Sequence, residues 1–317
     1  MRLKPSGEGK ALLAYLSVCI VWGSTYLAIR IGVSDFPPEL FAGIRFSIAG
    51  LLMLFFALMR HAQMPNLKTL LNVSVMGLFL ILGGNGMVVW AEQWVDSGMA
   101  ALLLATVPLW MALIELILPG RKPLGLKGWG GLMIGFGGVT LLILSGGKTG
   151  SIDLAGGLWI LAAAVSWAIG SVYSSRVRLQ GSIVAIIGIE MLAGGLGQVI
   201  VGLSLGEAQL MHFSTKGIGA MVYLIFIGSI VGYSSYIYLL QKWPAAKAST
   251  YAYVNPVVAI FLGALILGEP VTGGIVLASG VILGGVLLVQ LGKSPKQEKE
   301  KDNQTIEQTI YAEEASK

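Results

Sequence analysis

Long apolar runs separated by short polar turns make up most of this 317-residue chain. Each run has about 20 residues, the length that an α-helix needs to cross the hydrocarbon core of a bilayer. No connection between the runs is long enough to hold a soluble domain. The pattern predicts ten transmembrane helices, over Ala11–Val33, Glu39–Met59, Leu70–Trp90, Ser97–Leu118, Leu124–Leu144, Leu154–Ser175, Ile183–Leu205, Gly217–Leu240, Ala246–Leu267 and Thr272–Leu291.

The composition excludes an ordinary soluble protein. Hydrophobic residues make up 55% of the chain and charged residues only 12%, whereas a soluble domain carries about a quarter charged residues. The 44 glycines are typical of membrane bundles, because small residues let helices approach closely. Cys19 is the single cysteine, so no intrachain disulfide can form. We therefore expect an all-α integral membrane protein embedded in the lipid bilayer.

The positive charges predict how the chain crosses the membrane. With the N-terminus in the cytoplasm, all but four of the 21 Lys and Arg residues fall on cytoplasmic segments. The exceptions are Arg30 and Arg45 inside the membrane and Lys148 and Lys216 outside it. This distribution follows the positive-inside rule. We expect a multi-pass protein of the cell (inner or plasma) membrane with both termini cytoplasmic, and a disordered polar tail over residues 292–317.

The two halves of the chain share one order of residues. The matched positions are Trp22 with Trp167, Gly43-Ile44-Arg45 with Gly188-Ile189-Glu190, Trp94 with Trp243, Pro108 with Pro256, and Gly137-Gly138-Val139 with Gly284-Gly285-Val286. Each half holds five helices, an odd number, so the second half enters the membrane from the opposite side. We expect two inverted five-helix repeats, over residues 11–145 and 152–291, an arrangement typical of secondary transporters with a solute site near the midplane. A duplicated membrane protein that moves nothing is the alternative.

Several short motifs carry a family resemblance that covers nearly everything from Leu12 to Leu291. They are Trp22-Gly23-Ser24-Thr25-Tyr26 with Arg30, Gly43-Ile44-Arg45-Phe46, Asn85-Gly86, Ala105-Thr106-Val107-Pro108, Ser166-Trp167-Ala168, Gly170-Ser171-Val172-Tyr173, Gly188-Ile189-Glu190-Met191, Ser249-Thr250-Tyr251-Ala252-Tyr253-Val254-Asn255-Pro256-Val257 and Gly268-Glu269. In these motifs the chain resembles the EamA-type carriers of the drug/metabolite transporter superfamily, and most closely the YedA-like members of that group. The resemblance implies a ten-helix fold of two inverted halves and the export of metabolites or drugs.

Two charged residues lie several residues inside predicted helices. Arg45 and Glu190 occupy equivalent positions of the two repeats with opposite sign. A charge in hydrocarbon costs a few kcal/mol or more unless it is paired or faces water. One hypothesis is a solute-binding or proton-coupling pair in a central cavity. The other is a structural ion pair that locks the second and seventh helices together.

Aromatic and polar residues inside the helices are further candidates for a solute site. Trp22, Ser24, Tyr26 and Trp167 lie mid-helix, where a tryptophan needs a partner for its indole N–H. They either supply a surface for flat or aromatic solutes or only pack the helices together. Asn85 is the deepest polar residue near the end of the third helix. Glu92 follows that helix, and its position predicts solvation at the interface.

Two prolines fall inside predicted helices at matched positions. Pro108 and Pro256 each remove a backbone hydrogen bond and free a carbonyl one turn earlier. We interpret them as paired hinges, with a static kink as the alternative. Asn255 is expected to cap the broken turn or to contact solute, and Tyr251 and Tyr253 to line the same space.

Enzyme and cofactor motifs are absent from the sequence. It has no Gly-x4-Gly-Lys-Ser/Thr, no His-Glu-x-x-His and no Cys/His metal spacing. We therefore expect no enzyme activity, no cofactor, no metal and no nucleic-acid partner. The sequence favours a secondary exporter of small organic metabolites or drugs that works by alternating access, proton-coupled or facilitative. The alternative is a lipid-modifying enzyme or scaffold; the substrate and the oligomeric state stay open.

Overall fold

Helices account for the regular structure of the computed structural model, which describes residues 7–118, 125–149, 153–174, 176–242 and 251–291. No β-strand occurs in these residues. We number the helices by predicted crossing. They are α1, Gly7–Gly32; α2, Pro38–Met59; α3, Leu67–Gly77, Leu78–Gly86 and Met87–Ala91; α4, Ser97–Leu104 and Val107–Ile117; α5, Leu126–Thr149; α6, Leu154–Ser174; α7, Ile183–Ser204; α8, Thr215–Tyr223, Leu224–Tyr233 and Ser234–Lys242; α9, Tyr251–Leu262 and Gly263–Leu267; and α10, Gly273–Leu291. The predicted all-α fold of ten membrane helices in two inverted halves is confirmed.

Six of the described helices are long and apolar enough to cross a membrane by length and composition. They are Gly9–Gly32, Pro38–Met59, Leu67–Ala91, Leu154–Ser174, Ile183–Ser204 and Thr215–Tyr236. Shorter apolar helices cover Ser97–Met111, Val254–Leu267 and Gly273–Gly285. The shorter length of α4 has a local cause, because Pro108 cannot donate a backbone hydrogen bond to the carbonyl of Leu104, where the first segment ends.

The helix limits agree with the predicted runs except at a few ends. The α5 helix was expected to stop at Leu144 and continues to Thr149. The expected start of α9 at Ala246 and the expected disordered tail over 292–317 lie outside the described residues.

Glycines bring equivalent helices of the two halves into backbone contact. A Cβ atom added to Gly50 of α2 would lie 2.7 Å from the backbone nitrogen of Leu192 in α7. In α5, a Cβ at Gly138 would lie 2.8 Å from the backbone nitrogen of Ile282 in α10. The pairs α2/α7 and α5/α10 each join a helix to its counterpart in the other half.

The middle of α3 and of α8 is a π-helix, a feature that the sequence pattern did not predict. These two π-segments are Leu78–Gly86 and Leu224–Tyr233, at matching places of the two repeats, and a shorter π-helix, Gly263–Leu267, ends α9. π-Helical turns are rare and occur frequently at functional sites. Each of these two segments offers a carbonyl to a helix of the opposite half, as described below.

Candidate functional site

Five aromatic rings from four helices meet in the bundle, and we call them the aromatic cluster. They are Trp22 of α1, Trp167 of α6, Tyr233 and Tyr236 of α8, and Tyr251 of α9. From the centroid of Trp22, the other centroids lie at 6.1 Å (Trp167), 6.1 Å (Tyr233), 5.0 Å (Tyr236) and 5.2 Å (Tyr251). Four of the rings are half-buried and Tyr233 is buried. The rings come from helices of both halves of the chain.

At or beside each tryptophan of the cluster, one side chain donates a hydrogen bond to a π-segment of the opposite half. The indole nitrogen of Trp22 donates to the carbonyl oxygen of Gly228, inside the π-segment of α8, at 3.3 Å. Next to Trp167, the Ser166 hydroxyl donates to the carbonyl oxygen of Phe79, inside the π-segment of α3, at 2.7 Å. The side chains therefore use backbone carbonyls of the π-segments and link α1 to α8 and α6 to α3.

Glycines make room for both indole rings. A Cβ added to Gly232 would lie 2.6 Å from Nε1 of Trp22, and one added to Gly84 would lie 2.8 Å from Cε3 of Trp167. A distance below 3.0 Å requires the ring or the helix to move. The position of each tryptophan thus depends on a glycine in the facing helix.

Glu190 is joined to the aromatic cluster through Tyr233. The Tyr233 hydroxyl donates to Oε1 of Glu190 at 2.5 Å, and the Glu190 side chain is 1% exposed. Charge-assisted O–H···O⁻ hydrogen bonds have lengths of about 2.5–2.7 Å. The carboxyl group of Glu190 therefore lies at the edge of the five rings.

Arg45 is bound within its own half and not to Glu190. Its Nη2 donates to Oδ1 of Asn85 in the π-segment of α3 at 2.7 Å, and its guanidinium carbon lies 4.2 Å from the ring centroid of Phe46. Its Nε and Nη1 atoms are buried without a hydrogen-bond partner in the described structure. Among the described residues no ion pair joins Arg45 to Glu190. Instead, each charge bonds a side chain on the π-segment of the next helix.

Glu92 lies in a buried polar group where α3 ends. The predicted solvation of Glu92 is wrong, because the residue is 0% exposed and neither carboxylate oxygen has a hydrogen-bond partner in the described structure. Arg30 of α1 covers this position: its Nη1 donates to the Glu92 carbonyl oxygen, and its Nη2 lies 4.0 Å from Oδ1 of Asp96. Burial raises the pKa of Glu92 well above its usual range, while the positive charge of Arg30 opposes that rise.

Two carboxylates of the second half cap helices of the first half at this same end of the bundle. Glu207, after α7, accepts from the backbone N–H of Glu39 at 3.3 Å and of Leu40 at 2.8 Å, in the first turn of α2. Glu269, after α9, accepts from the backbone N–H of Ser97 at 2.9 Å and from the Ser97 hydroxyl at 2.8 Å, at the start of α4. Carboxylates satisfy the free N–H groups of a helix N-terminus and its positive dipole. We call these two contacts the carboxylate clasps.

Two predicted site residues lie next to the cluster rather than in it. The Ser24 hydroxyl is 2.6 Å from the Tyr223 hydroxyl. Once its amide is oriented to satisfy its neighbours, Asn255 donates to the carbonyl oxygens of Cys19 and Tyr251 at 3.1 and 3.2 Å. Asn255 therefore ties α9 to α1 one turn from Tyr251.

The remaining predicted residues are spread over other parts of the bundle. Tyr26 packs in a separate apolar cluster with Val88 and Met99. Pro108 follows the break in α4, whereas Pro256 lies inside the helix Tyr251–Leu262. The side chain of Tyr253 is outside the described structure.

Tyr233 and Tyr236 were not among the site residues predicted from the sequence. A signal was available, because the two tyrosines are three residues apart in an apolar run and therefore share one face of the helix. The rule that a polar-tipped ring inside the membrane needs a partner applies to tyrosine as it does to tryptophan.

Comparisons with known proteins decide the family. The sequence profile of the EamA-like transporter family matches residues 9–144 and again residues 154–291. The chain belongs to this family. The transporter is 43% identical over 281 residues to the protein named "Uncharacterized inner membrane transporter YedA" of Escherichia coli K12, covering 88% of this chain and 90% of that one. The predicted YedA-like resemblance is thereby confirmed.

A more distant relative is also named as a transporter, and a solved structure shares the fold. The transporter is 27% identical to the protein named "Uncharacterized transporter YoaV" of Bacillus subtilis, over 88% of this chain and 96% of that one. A solved crystal structure shares the fold with a TM-score of 0.62 at 22% identity, over 89% of this chain and 97% of that one. The chain is therefore a multi-pass inner-membrane transporter of small-molecule solutes.

Proposed function

We propose that this transporter is a secondary carrier that exports small organic metabolites or drugs by alternating access, with its solute site near the midplane between the two repeats. The repeats span residues 11–145 and 152–291, and both termini are cytoplasmic. Protons supply the coupling ion if transport is coupled, with Glu190 as the residue that exchanges them.

The aromatic cluster is the observation that carries this proposal. Its rings come from α1 in one half and from α6, α8 and α9 in the other, and Glu190 is bonded to one of them. Solute sites in membrane carriers lie at such a repeat interface, and intramembrane ionisable residues mark the pathway. A site built by both halves is the one place where a movement of one half against the other changes which side of the membrane has access.

The paired contacts between the halves support a rocking movement. The hydrogen bond from Trp22 to the carbonyl of Gly228 and the one from Ser166 to the carbonyl of Phe79 join equivalent helices across the interface. Both carboxylate clasps, at Glu207 and Glu269, lie beyond this interface at one end of the bundle. With the N-terminus in the cytoplasm, that end faces away from the cytoplasm. The clasps would close the outer side while solute reaches the cluster from the inner side.

Other candidate residues take supporting roles in the proposal. Arg45 and Asn85 form the equivalent polar contact of the first half. Pro108 and Pro256 serve as hinges in α4 and α9. Ser24 and Asn255, which lie next to the cluster, complete the helix faces around the site.

Solute counterflow in proteoliposomes tests the function directly. Amino acids, sugars, nucleosides and cationic drugs would be offered to the wild type, to Glu190→Gln and to Arg45→Gln. The proposal predicts counterflow of at least one class, with loss in Glu190→Gln. Counterflow of no class in protein that remains folded would overturn the carrier. Full activity in both variants would make the charges structural.

A further inference from the structure

We infer that the aromatic cluster binds organic cations, solutes that carry a quaternary or protonated amine; the inference rests on the proposed function because it names the solute class of that same site. Two properties of the cluster lead to this class: the electron-rich faces of its rings and the negative charge at its edge.

The rings provide the first property. A cation within about 6 Å of an aromatic centroid is attracted by the ring quadrupole, most strongly by tryptophan, and aromatic cages of this kind recognise quaternary ammonium groups. The cluster contains two tryptophans and three tyrosines. The centroids of Trp22, Tyr236 and Tyr251 lie 5.0–5.6 Å apart, with two of the three pairs nearly perpendicular. Several ring faces and edges thus lie within one small region of the bundle.

The charge balance provides the second property. Glu190 receives its hydrogen bond from the neutral hydroxyl of Tyr233, and no ion pair of Glu190 occurs among the described residues. An intramembrane carboxylate without a cation is costly. A bound organic cation would supply the missing positive charge and would reduce that cost.

The first half does not offset this negative charge. Arg45 is turned toward Asn85 and lies over Phe46. The charged side chain that bonds the cluster is therefore acidic, and the site selects for positive solutes. An anionic solute at the rings would be repelled by Glu190. A neutral aromatic solute would gain ring contacts without the charge interaction.

Equilibrium binding of tritiated benzyltrimethylammonium to the full chain in nanodiscs tests the inference. Two competitors define the chemistry: neopentylbenzene, in which carbon replaces the nitrogen, and phenylalanine, which is zwitterionic. Saturable binding that neither competitor displaces is the expected result. Absence of saturable binding, or equal displacement by neopentylbenzene, would overturn the inference. Displacement of benzyltrimethylammonium by phenylalanine in preference to neopentylbenzene would also overturn the inference.

Matched variants locate the binding. We expect Glu190→Gln and Tyr236→Leu each to weaken binding about tenfold, while Tyr236→Phe, which keeps the ring, stays within about threefold of the wild type. Trp94→Leu removes an exposed ring outside the cluster and should change nothing. Equal weakening by Tyr236→Leu and Trp94→Leu would contradict a site at the cluster. Size-exclusion profiles of each variant separate a binding defect from misfolding.

The inference and the proposed function fail separately. If counterflow of another solute class depends on Trp22 and the cation does not bind, the carrier stands and the cation site is wrong. If the cation binds as expected and no solute shows counterflow, the cation site stands and the carrier is wrong.

Discussion

Tyr233 donates a hydrogen bond to Glu190 across 2.5 Å, and both side chains are buried. Arg45 and Asn85 form the corresponding contact of the other half, at 2.7 Å. In each half an intramembrane charge on the second helix is fixed by the π-segment of the third. The repeat has therefore preserved the geometry of the contact while it changed the sign of the charge.

A double-mutant cycle on Glu190→Gln and Tyr233→Phe measures this contact. We expect a coupling of about 1–3 kcal/mol in unfolding experiments, because hydrogen bonds to a charged group contribute about 1.5–3 kcal/mol. Tyr173→Phe is the control, since the Tyr173 hydroxyl bonds the neutral amide of Asn72. A cycle of Glu190→Gln with Tyr173→Phe should be additive. Additivity in the first cycle as well would refute the contact.

Gly232→Ala tests the packing of Trp22 on α8. The new Cβ would meet Nε1 of Trp22 at 2.6 Å, and such overpacking costs about 1–3 kcal/mol. We expect a lower melting temperature and reduced counterflow. Gly219→Ala on the same helix meets nothing within 4 Å and should be neutral or slightly stabilising. Equal effects of both substitutions on melting temperature would argue against the tryptophan contact.

Glu269→Gln tests the carboxylate clasp at α4. The substitution weakens the acceptors for the N–H groups of Ser97 and Gly98, so we expect faster amide hydrogen exchange across the first turn of α4. Asp153→Asn is the matched control, because Asp153 caps its own helix through the N–H of Gly156 at 3.0 Å. Asp153→Asn should change amide hydrogen exchange only in α6. Unchanged exchange in α4 of Glu269→Gln would show that the clasp does not hold the two halves together.

We expect Glu92→Gln to stabilise the folded protein, by an amount that increases with pH. Burial raises the pKa of Glu92, so the folded protein keeps a proton that the unfolded chain releases, and stability falls as pH rises above the unfolded pKa. Removing the carboxyl should therefore stabilise the protein little near about pH 5 and more near about pH 8. Melting temperatures of both proteins over this range check the sign. A gain that shrinks as pH rises would mean that Arg30 and Arg45 dominate over burial.

The apolar run lengths and the repeat were sufficient to predict the ten helices, because run length and residue order are properties of the chain itself. The break in α4 could also be foreseen at Pro108. The π-segments could not, since Leu78–Gly86 and Leu224–Tyr233 read as ordinary apolar helix. Carbonyls inside them accept hydrogen bonds from Ser166 and Trp22 of other helices, and such contacts between helices cannot be read from an apolar run.

The sequence predicted only part of the candidate site, again because the rest depends on contacts between helices. Trp22, Trp167 and Glu190 were found from the rule that polar or charged groups inside a membrane need partners. Their actual neighbours, Tyr233 among them, are set by helix rotation, which the repeat alone does not give. Glu92 was misjudged because its distance along the helix suggested the interface, whereas Arg30 of α1 covers it in three dimensions.

Sided labelling of a cysteine inside the aromatic cluster tests the central claim most directly. Tyr236→Cys would be made together with Cys19→Ala, which removes the native thiol, and a membrane-impermeant maleimide would be added to right-side-out or inside-out vesicles. Alternating access predicts modification from both sides, with a solute identified by counterflow changing the ratio of the two rates. Modification from one side only, whatever solute is present, would contradict a carrier whose site lies between the two halves.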